Sequence, residues 1–258
     1  MSKCLSPSFA EWVPVQLARL LPFVEAYGAY GISTDPLYLY RLQPWLKRGH
    51  LYVVVHARGG GEFGEPWHLA GKGANKPNTW RDVIDGIEAL KKSGVLASDK
   101  VVTIGTSAGG VMIGRVVTER PDLLAGAIMN VPISDMLRFE TTPGGPGNTA
   151  EFGSVKDEAG YRALRAMSPY ANVVDGTRYP PVLITAGMND QRVVAWVPAK
   201  MAARLQAATA TVPGAGAVRL RVEFDEGHGQ GTSKASSDLK FTDVLAFSLG
   251  VVGDKDFR

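Results

Sequence analysis

Lys100-Val101-Val102-Thr103-Ile104-Gly105-Thr106-Ser107-Ala108-Gly109-Gly110-Val111 is the stretch on which the reading of this chain turns. Val101 to Ile104 is a short apolar, β-branched run, the pattern of a buried strand. From Val111 to Glu119 the pattern is helical, and Pro121 follows shortly after its expected end. Between them lies Gly-x-Ser-x-Gly, a nucleophile elbow in which the serine occupies a sharp strand-to-helix turn. Such a turn strains the serine backbone, and its neighbours must lack side chains because helix and strand approach closely there. Gly105 and Gly109 meet that requirement, and Gly110 relaxes it further. The helix N-terminus also brings N–H groups and partial positive charge close to Ser107, where an oxyanion would form. A chain with 30 glycines produces this pattern by chance as well, so the flanking strand and helix carry the weight. A Gly/Ser turn could also cradle a phosphate. That reading is weak, because no Gly-Lys-Ser/Thr follows and the turn does not fit Gly-x-Gly-x-x-Gly.

Working outward, strand-like and helix-like segments alternate. The strand candidates are Leu21–Ala26, Leu51–His56, Val101–Ile104, Ala127–Val131, Val182–Ala186 and Leu220–Phe224. The alternation predicts an α/β chain, a mostly parallel sheet with helices on both faces. The clearest helix runs from Trp80 to Lys92, where Trp80, Val83, Ile84, Ile87 and Leu90 form one apolar stripe. Asn78 or Thr79 is its expected cap, and Gly94 its expected end. Val197–Ala208 and Leu239–Leu249 read as further helices. Arg58–Asn78 and Thr141–Gly153 are loop-like and are candidate walls for a site on the sheet edge. Residues 1–20 read as an arm or short helix, and 21–258 as a single catalytic domain.

An elbow serine needs a base, and the base needs an acid to orient it. On this architecture the chain order is Ser, then Asp/Glu, then His. Of the four histidines only His228 follows the serine, and it sits between glycines directly after a predicted strand. The acid is expected beyond the preceding strand, where Gly187-Met188-Asn189-Asp190 follows Val182–Ala186. The carboxyl edge of an open α/β sheet is where such sites lie. Asp190 is therefore the candidate acid. Asp225 and Glu226 are too near His228 to face its ring easily and read as solvated loop charges, and Asp175 follows no strand. In this reading His228 takes the proton of Ser107, Asp190 orients the imidazole, and the Ala108 N–H donates to the oxyanion.

Bulk composition narrows the alternatives. The chain has 258 residues, enough for one large domain with a substantial core. An apolar fraction of 45% with 21% charged residues is that of an ordinary globular chain rather than a disordered one. Net charge is +3 and the basic residues are scattered, so no nucleic-acid groove is expected. The single cysteine, Cys4, excludes an internal disulfide and a cysteine-based metal cluster. Neither His-Glu-x-x-His nor a histidine pair at helical spacing occurs, so metal-dependent hydrolysis is not expected and no cofactor is called for. No stretch is long enough for a membrane helix and no signal peptide is visible, so a cytoplasmic location and no membrane partner are expected.

These residues resemble the catalytic domain of the prolyl oligopeptidase family of serine peptidases, an α/β-hydrolase fold, from about Leu21 to about Gly250. Ala26-Tyr27-Gly28-Ala29-Tyr30-Gly31-Ile32-Ser33 is similar to the family's Tyr-Gly-rich loop. Arg58 to His68 matches its R-G-G-G-E-[YF]-G-x-x-W-H pattern, with Lys72 and Asn75-Lys76 following. Gly105–Gly110, Asn189–Val193 and Gly227–Gly229 carry the triad blocks. The resemblance implies that the Tyr27 hydroxyl is the second oxyanion donor and that Arg192 binds a substrate carbonyl. Without it, Tyr27 would be a core tyrosine and Arg192 part of a surface ion pair. Trp67 and His68 are taken as structural. Asn148 falls where proline-selective members stack an aromatic ring, so strict proline specificity is not implied.

The resemblance starts near the N-terminus, so the β-propeller that family peptidases usually carry is not expected in these residues. The sheet is expected to be N-terminally reduced, with self-association through uncovered apolar surface. An open site favours a serine hydrolase acting on small or activated esters, with short peptides as the second substrate class. A catalytically silent interaction module is the competing reading. Intact Ser107, Asp190, His228 and Tyr27 stand against it.

Overall fold

Six short apolar runs pair into one sheet. A computed structural model describes residues 21–35, 37–94, 96, 101–229 and 232–257, so the expected N-terminal arm lies outside the described residues. The strands are β1 (Pro22–Glu25), β2 (Leu51–Val54), β3 (Val101–Thr106), β4 (Leu124–Asn130), β5 (Val182–Gly187) and β6 (Val218–Glu223). All pairings are parallel, in the order β2-β1-β3-β4-β5-β6. Every predicted strand is present, with ends shifted by a few residues. The helices, in chain order, are α1 (Gln43–Leu46), α2 (Glu65–Leu69), α3 (Pro77–Lys92), α4 (Gly109–Glu119), α5 (Met136–Phe139), α6 (Thr149–Phe152), α7 (Glu158–Met167), α8 (Trp196–Thr209) and α9 (Lys234–Val251).

Alternation along the strands divides the core in two. Val24, Val101, Ala127, Met129, Val182 and Ile184 face one side, with α3, α4, α7 and α8 packed over them. Phe23, Val102, Ile104, Ile128 and Leu183 face the other, beneath Trp45 of α1 and Val244, Leu245 and Leu249 of α9. A sheet buried on both faces needs apolar residues at successive positions, which is why these strands read as continuous runs.

The strand order reverses direction between β1 and β3. From β1 the chain moves outward to β2, then returns to place β3 on the other flank of β1. Ligands of open α/β sheets bind outside the carboxyl ends of the strands at such a point. The segments that leave β1 and β3 there carry Tyr27 and Ser107.

Three local expectations are corrected. The helix expected from Trp80 begins at Pro77, a first-turn proline whose missing N–H costs nothing there. Neither Asn78 nor Thr79 caps it. Both lie inside its first turn and donate to loop carbonyls, Asn78 Nδ2 to Ala70 O at 2.8 Å and Thr79 Oγ1 to Arg58 O at 2.6 Å. The two loop-like segments also contain short helices, α2 and a 3₁₀ turn at Gly73–Asn75 in the first, a 3₁₀ turn at Pro146–Asn148 and α6 in the second.

Candidate active site

Ser107 sits at φ +56°, a left-handed conformation that a side chain rarely adopts. Its backbone is held by the neighbouring strand end: the Ser107 N–H donates to Asn130 O at 2.9 Å, and Ile133 N–H donates to Ser107 O at 2.9 Å. The turn closes because its neighbours lack side chains. A Cβ on Gly105 would stand 2.4 Å from Gly109 O, and one on Gly110 2.3 Å from the Pro132 Cβ. Gly109 has slightly more room, with Ala26 O at 3.3 Å from a built Cβ. The strict positions are thus Gly105 and Gly110. Ala108 stands at the start of α4, directly after Ser107, and among the described residues its N–H makes no hydrogen bond to a backbone carbonyl.

The loops after β5 and β6 deliver the other two groups side by side. Met188 N–H donates to Glu223 O and Asn189 N–H to Glu226 O, each at 2.9 Å. Asp190 is buried, and one carboxylate oxygen accepts the amides of Arg192 and Val193 at 2.8 Å. Its other oxygen lies 2.6 Å from His228 Nδ1, and His228 Nε2 lies 2.8 Å from Ser107 Oγ. Burial alone would raise the Asp190 carboxyl. The His228 hydrogen bond and charge and the two amides outweigh it, and the pKa falls below its ordinary value. The carboxylate is held ionised, with both oxygens hydrogen-bonded.

Glu226 corrects another expectation. The sequence places it among solvated loop charges, but α9 packs over it. It accepts from the Ser236 hydroxyl, from Thr232 Oγ1 at 3.2 Å and from Lys240 Nζ at 3.1 Å, and so pins the His228 loop to α9. Asp225 is exposed, as expected.

The positions assigned by resemblance alone meet around one cavity of ≈ 500 Å³ that opens beside Ser107. Tyr27, Arg192 and Asn148 all line it. Burial raises the Tyr27 hydroxyl above its ordinary value, with the Arg192 charge opposing, so it is a protonated donor at neutral pH. Arg192 is exposed and makes no ion pair among the described residues. The Asn148 carboxamide is engaged by the fold: it accepts from the Tyr30 hydroxyl, and its Nδ2 donates to Gly144 O at 2.6 Å.

Sequence reasoning passed over the second layer of this wall. Tyr30 lines the cavity at φ +58° with its ring edge-on to Phe152 at 5.7 Å. Behind it Lys76 and Glu151 form a buried ion pair to which the half-buried His68 is hydrogen-bonded. The pattern around Arg58–His68 and Lys76 gave the signal, but nothing in it tells a buried lysine from a solvated one.

Comparison with known proteins agrees in sequence and in shape. The sequence profile of the prolyl oligopeptidase family matches residues 37–255. A prolyl endopeptidase of Elizabethkingia miricola is 35% identical over 234 residues, covering 90% of this chain and 33% of its own. Dipeptidyl aminopeptidase BI of Pseudoxanthomonas mexicana is 34% identical over 231 residues, 88% of this chain and 31% of its own. Among solved structures, oligopeptidase B from Trypanosoma brucei, in a closed form with covalently bound antipain, superposes with a TM-score of 0.85 at 30% identity. That match covers 92% of this chain and 34% of the other. The chain spans about a third of the length of the curated relatives it matches.

Proposed function

This chain belongs to the prolyl oligopeptidase family, and on that premise we propose that it is a serine peptidase in which Ser107, His228 and Asp190 form the triad. The observation that carries this reading is the unbroken relay from Ser107 Oγ to His228 Nε2 at 2.8 Å and from His228 Nδ1 to Asp190 Oδ2 at 2.6 Å. His228 accepts the Ser107 proton as Oγ attacks the scissile carbonyl carbon. The carbonyl oxygen becomes an oxyanion between the Ala108 N–H and the Tyr27 hydroxyl. His228 then passes the proton to the leaving amine, the C–N bond breaks, and an acyl-serine remains. Water, deprotonated by the same imidazole, attacks the ester and frees Ser107.

Asp190 serves this cycle through its two amide anchors. They leave one oxygen for His228 Nδ1–H and so fix the tautomer that presents a bare Nε2 to the serine. Arg192, exposed at the cavity and without an ion pair among the described residues, is suited to a substrate carbonyl.

Short peptides are the proposed substrate class. The sequence alone favours esters because the site looks open. The relatives named above are peptidases, and that supports the peptide reading over the ester one. Activated esters then serve as reporters of acylation. The test is turnover of a short chromogenic peptide anilide by the protein and by Ser107→Ala. A fall in kcat of about 10⁵–10⁶-fold is expected, the size seen when a triad nucleophile is removed. Anilide cleavage that survives Ser107→Ala would refute the assignment.

A further inference from the structure

Tyr27 is joined to Gly28, and the Gly28 carbonyl is one end of the network of Lys76, Glu151 and His68. Lys76 is 1% exposed, an extreme for an ammonium group. Its Nζ donates to Gly28 O at 2.9 Å and to Glu151 Oε1 at 3.2 Å. Glu151 is 4% exposed, and its Oε2 accepts from His68 Nε2 at 2.8 Å. The ammonium also stands over the Phe152 ring, 5.2 Å from its centroid. The Tyr30 backbone also favours the ionised Glu151 carboxylate. The three side chains come from α2, the residue before α3, and α6, and none of them lines the cavity beside Ser107.

Stability alone is a poor reason for this arrangement. Removing an ammonium and a carboxylate from water costs about several kcal/mol per ion, and apolar replacements of a buried pair are often neutral or stabilising. What an apolar pair cannot do is hold a carbonyl oxygen at a set place. Lys76 grips Gly28 O with one N–H and the α6 wall with another, so the loop after β1 is referenced to Glu151 and, through Phe152, to Tyr30.

We propose that Lys76, Glu151 and His68 are a positioning network that sets the Tyr27 hydroxyl against the oxyanion site by holding the Gly28 carbonyl. The proposal rests on the reading of Tyr27 as an oxyanion donor. It predicts that the network acts through Tyr27 and has little effect once that hydroxyl is gone.

The experiment is a cycle on the full chain, with kcat and KM measured on a short peptide anilide. Lys76→Met/Glu151→Leu removes both charges together, so neither Lys76 nor Glu151 is left as a buried ion without the other. Misplacement of a catalytic donor costs up to about 100-fold, so a fall in kcat of about 10–100-fold with little change in KM is expected. In a Tyr27→Phe background the same double change should alter kcat by no more than about twofold, the tolerance for uncoupled sites. His68→Gln, a milder change, should give a smaller loss with the same dependence on Tyr27. Losses that multiply undiminished in the Tyr27→Phe background, losses confined to KM, or no loss in any variant would overturn the proposal. If the double variant does not fold, the His68→Gln pair decides on the same terms. Ser107→Ala separates the two layers: survival of activity there refutes the triad reading, whereas its loss with multiplicative wall effects refutes the network alone.

Discussion

The two sides of the Ser107 cleft are built from different materials. On the elbow side the backbone holds itself. Ser107 is fixed by main-chain bonds to Asn130 and Ile133, and Asp190 by two amides of its own turn. Contact there is so close that glycine is the only fit at Gly105 and Gly110. On the wall side, main-chain bonds such as Gly59 N–H to Trp67 O are joined by side chains that hold the backbone. The loop after β1 leans on Lys76, the Arg58 carbonyl on Thr79, and the Thr34 amide on Glu62. Tight backbone contact occurs on both sides, at Gly105 and Gly110 of the elbow and at Gly59 and Gly145 of the wall, but the wall adds the buried charges of Lys76 and Glu151. A substitution on the elbow side should therefore abolish chemistry or strain the fold. One on the wall should detune the site.

The largest effect expected from breaking this contrast is at Asp190. Asp190→Asn keeps the size of the side chain but offers His228 the wrong partner, favouring the tautomer with a protonated Nε2. A loss in kcat of about 10⁴-fold is expected from the equivalent change in a serine protease triad. Steady-state kinetics on the peptide anilide measure it. A loss no larger than that of a wall substitution would erase the distinction between the two sides.

Next comes packing. Gly110→Ala would place a Cβ 2.3 Å from the Pro132 Cβ and 2.6 Å from its Cα, with no flexible side chain to give way. Overpacking of this kind costs about 1–3 kcal/mol. Gly147 on the wall meets nothing within 4 Å of a built Cβ. Gly147→Ala should stay within about 0.5 kcal/mol of the parent, as exposed substitutions do. Urea unfolding of the two variants compares them directly. Equal costs would mean that the elbow at Gly110 is no tighter than the open tip of the wall at Gly147.

The same contrast explains what could be read before the fold was known. The strands were legible because burial on both sheet faces demands continuous apolar, β-branched runs, as at Val101–Ile104 and Val182–Ala186. Ser107, Asp190 and His228 were legible because each sits just past a strand, in a chain order that the architecture dictates. Tyr27, Arg192 and Asn148 came only from resemblance, and they do share one cavity. The errors lie where a distant partner decides. Asn78 and Thr79 have capping side chains, but the loop carbonyls of Ala70 and Arg58 claimed them. Glu226 is charged and lies in a loop, yet α9 covers it with Ser236 and Lys240. Lys76 and Glu151 meet across 75 positions of sequence, and no local pattern encodes that meeting.

The smallest effect is a matter of acid stability, and it tests the materials themselves. Asp190 and Glu151 both have folded-state pKa values below the ordinary carboxylate range, although burial pushes each of them up. At Asp190 the opposing causes are the His228 bond and charge and the amides of Val193 and Arg192. At Glu151 the Lys76 charge leads, followed by the His68 and Tyr30 bonds. In the unfolded chain the two types titrate near ~3.9 and ~4.3. Between those values and the lower folded ones the unfolded state binds more protons, so stability rises with pH. The contribution of each carboxylate is complete above its unfolded pKa and is lost as pH falls through its folded one. Urea unfolding from about pH 6 down to about pH 3 should therefore show a shallower acid limb in Asp190→Asn than in the parent. Lys76→Met should flatten it too, because Glu151 then loses the leading cause of its depression while Asp190 keeps its own. The two effects should add, since the sites share no partner. If the Lys76→Met limb were as steep as the parent's, Glu151 would be held by its His68 and Tyr30 bonds, as Asp190 is by His228 and two amides. The wall would then be made of the same material as the elbow.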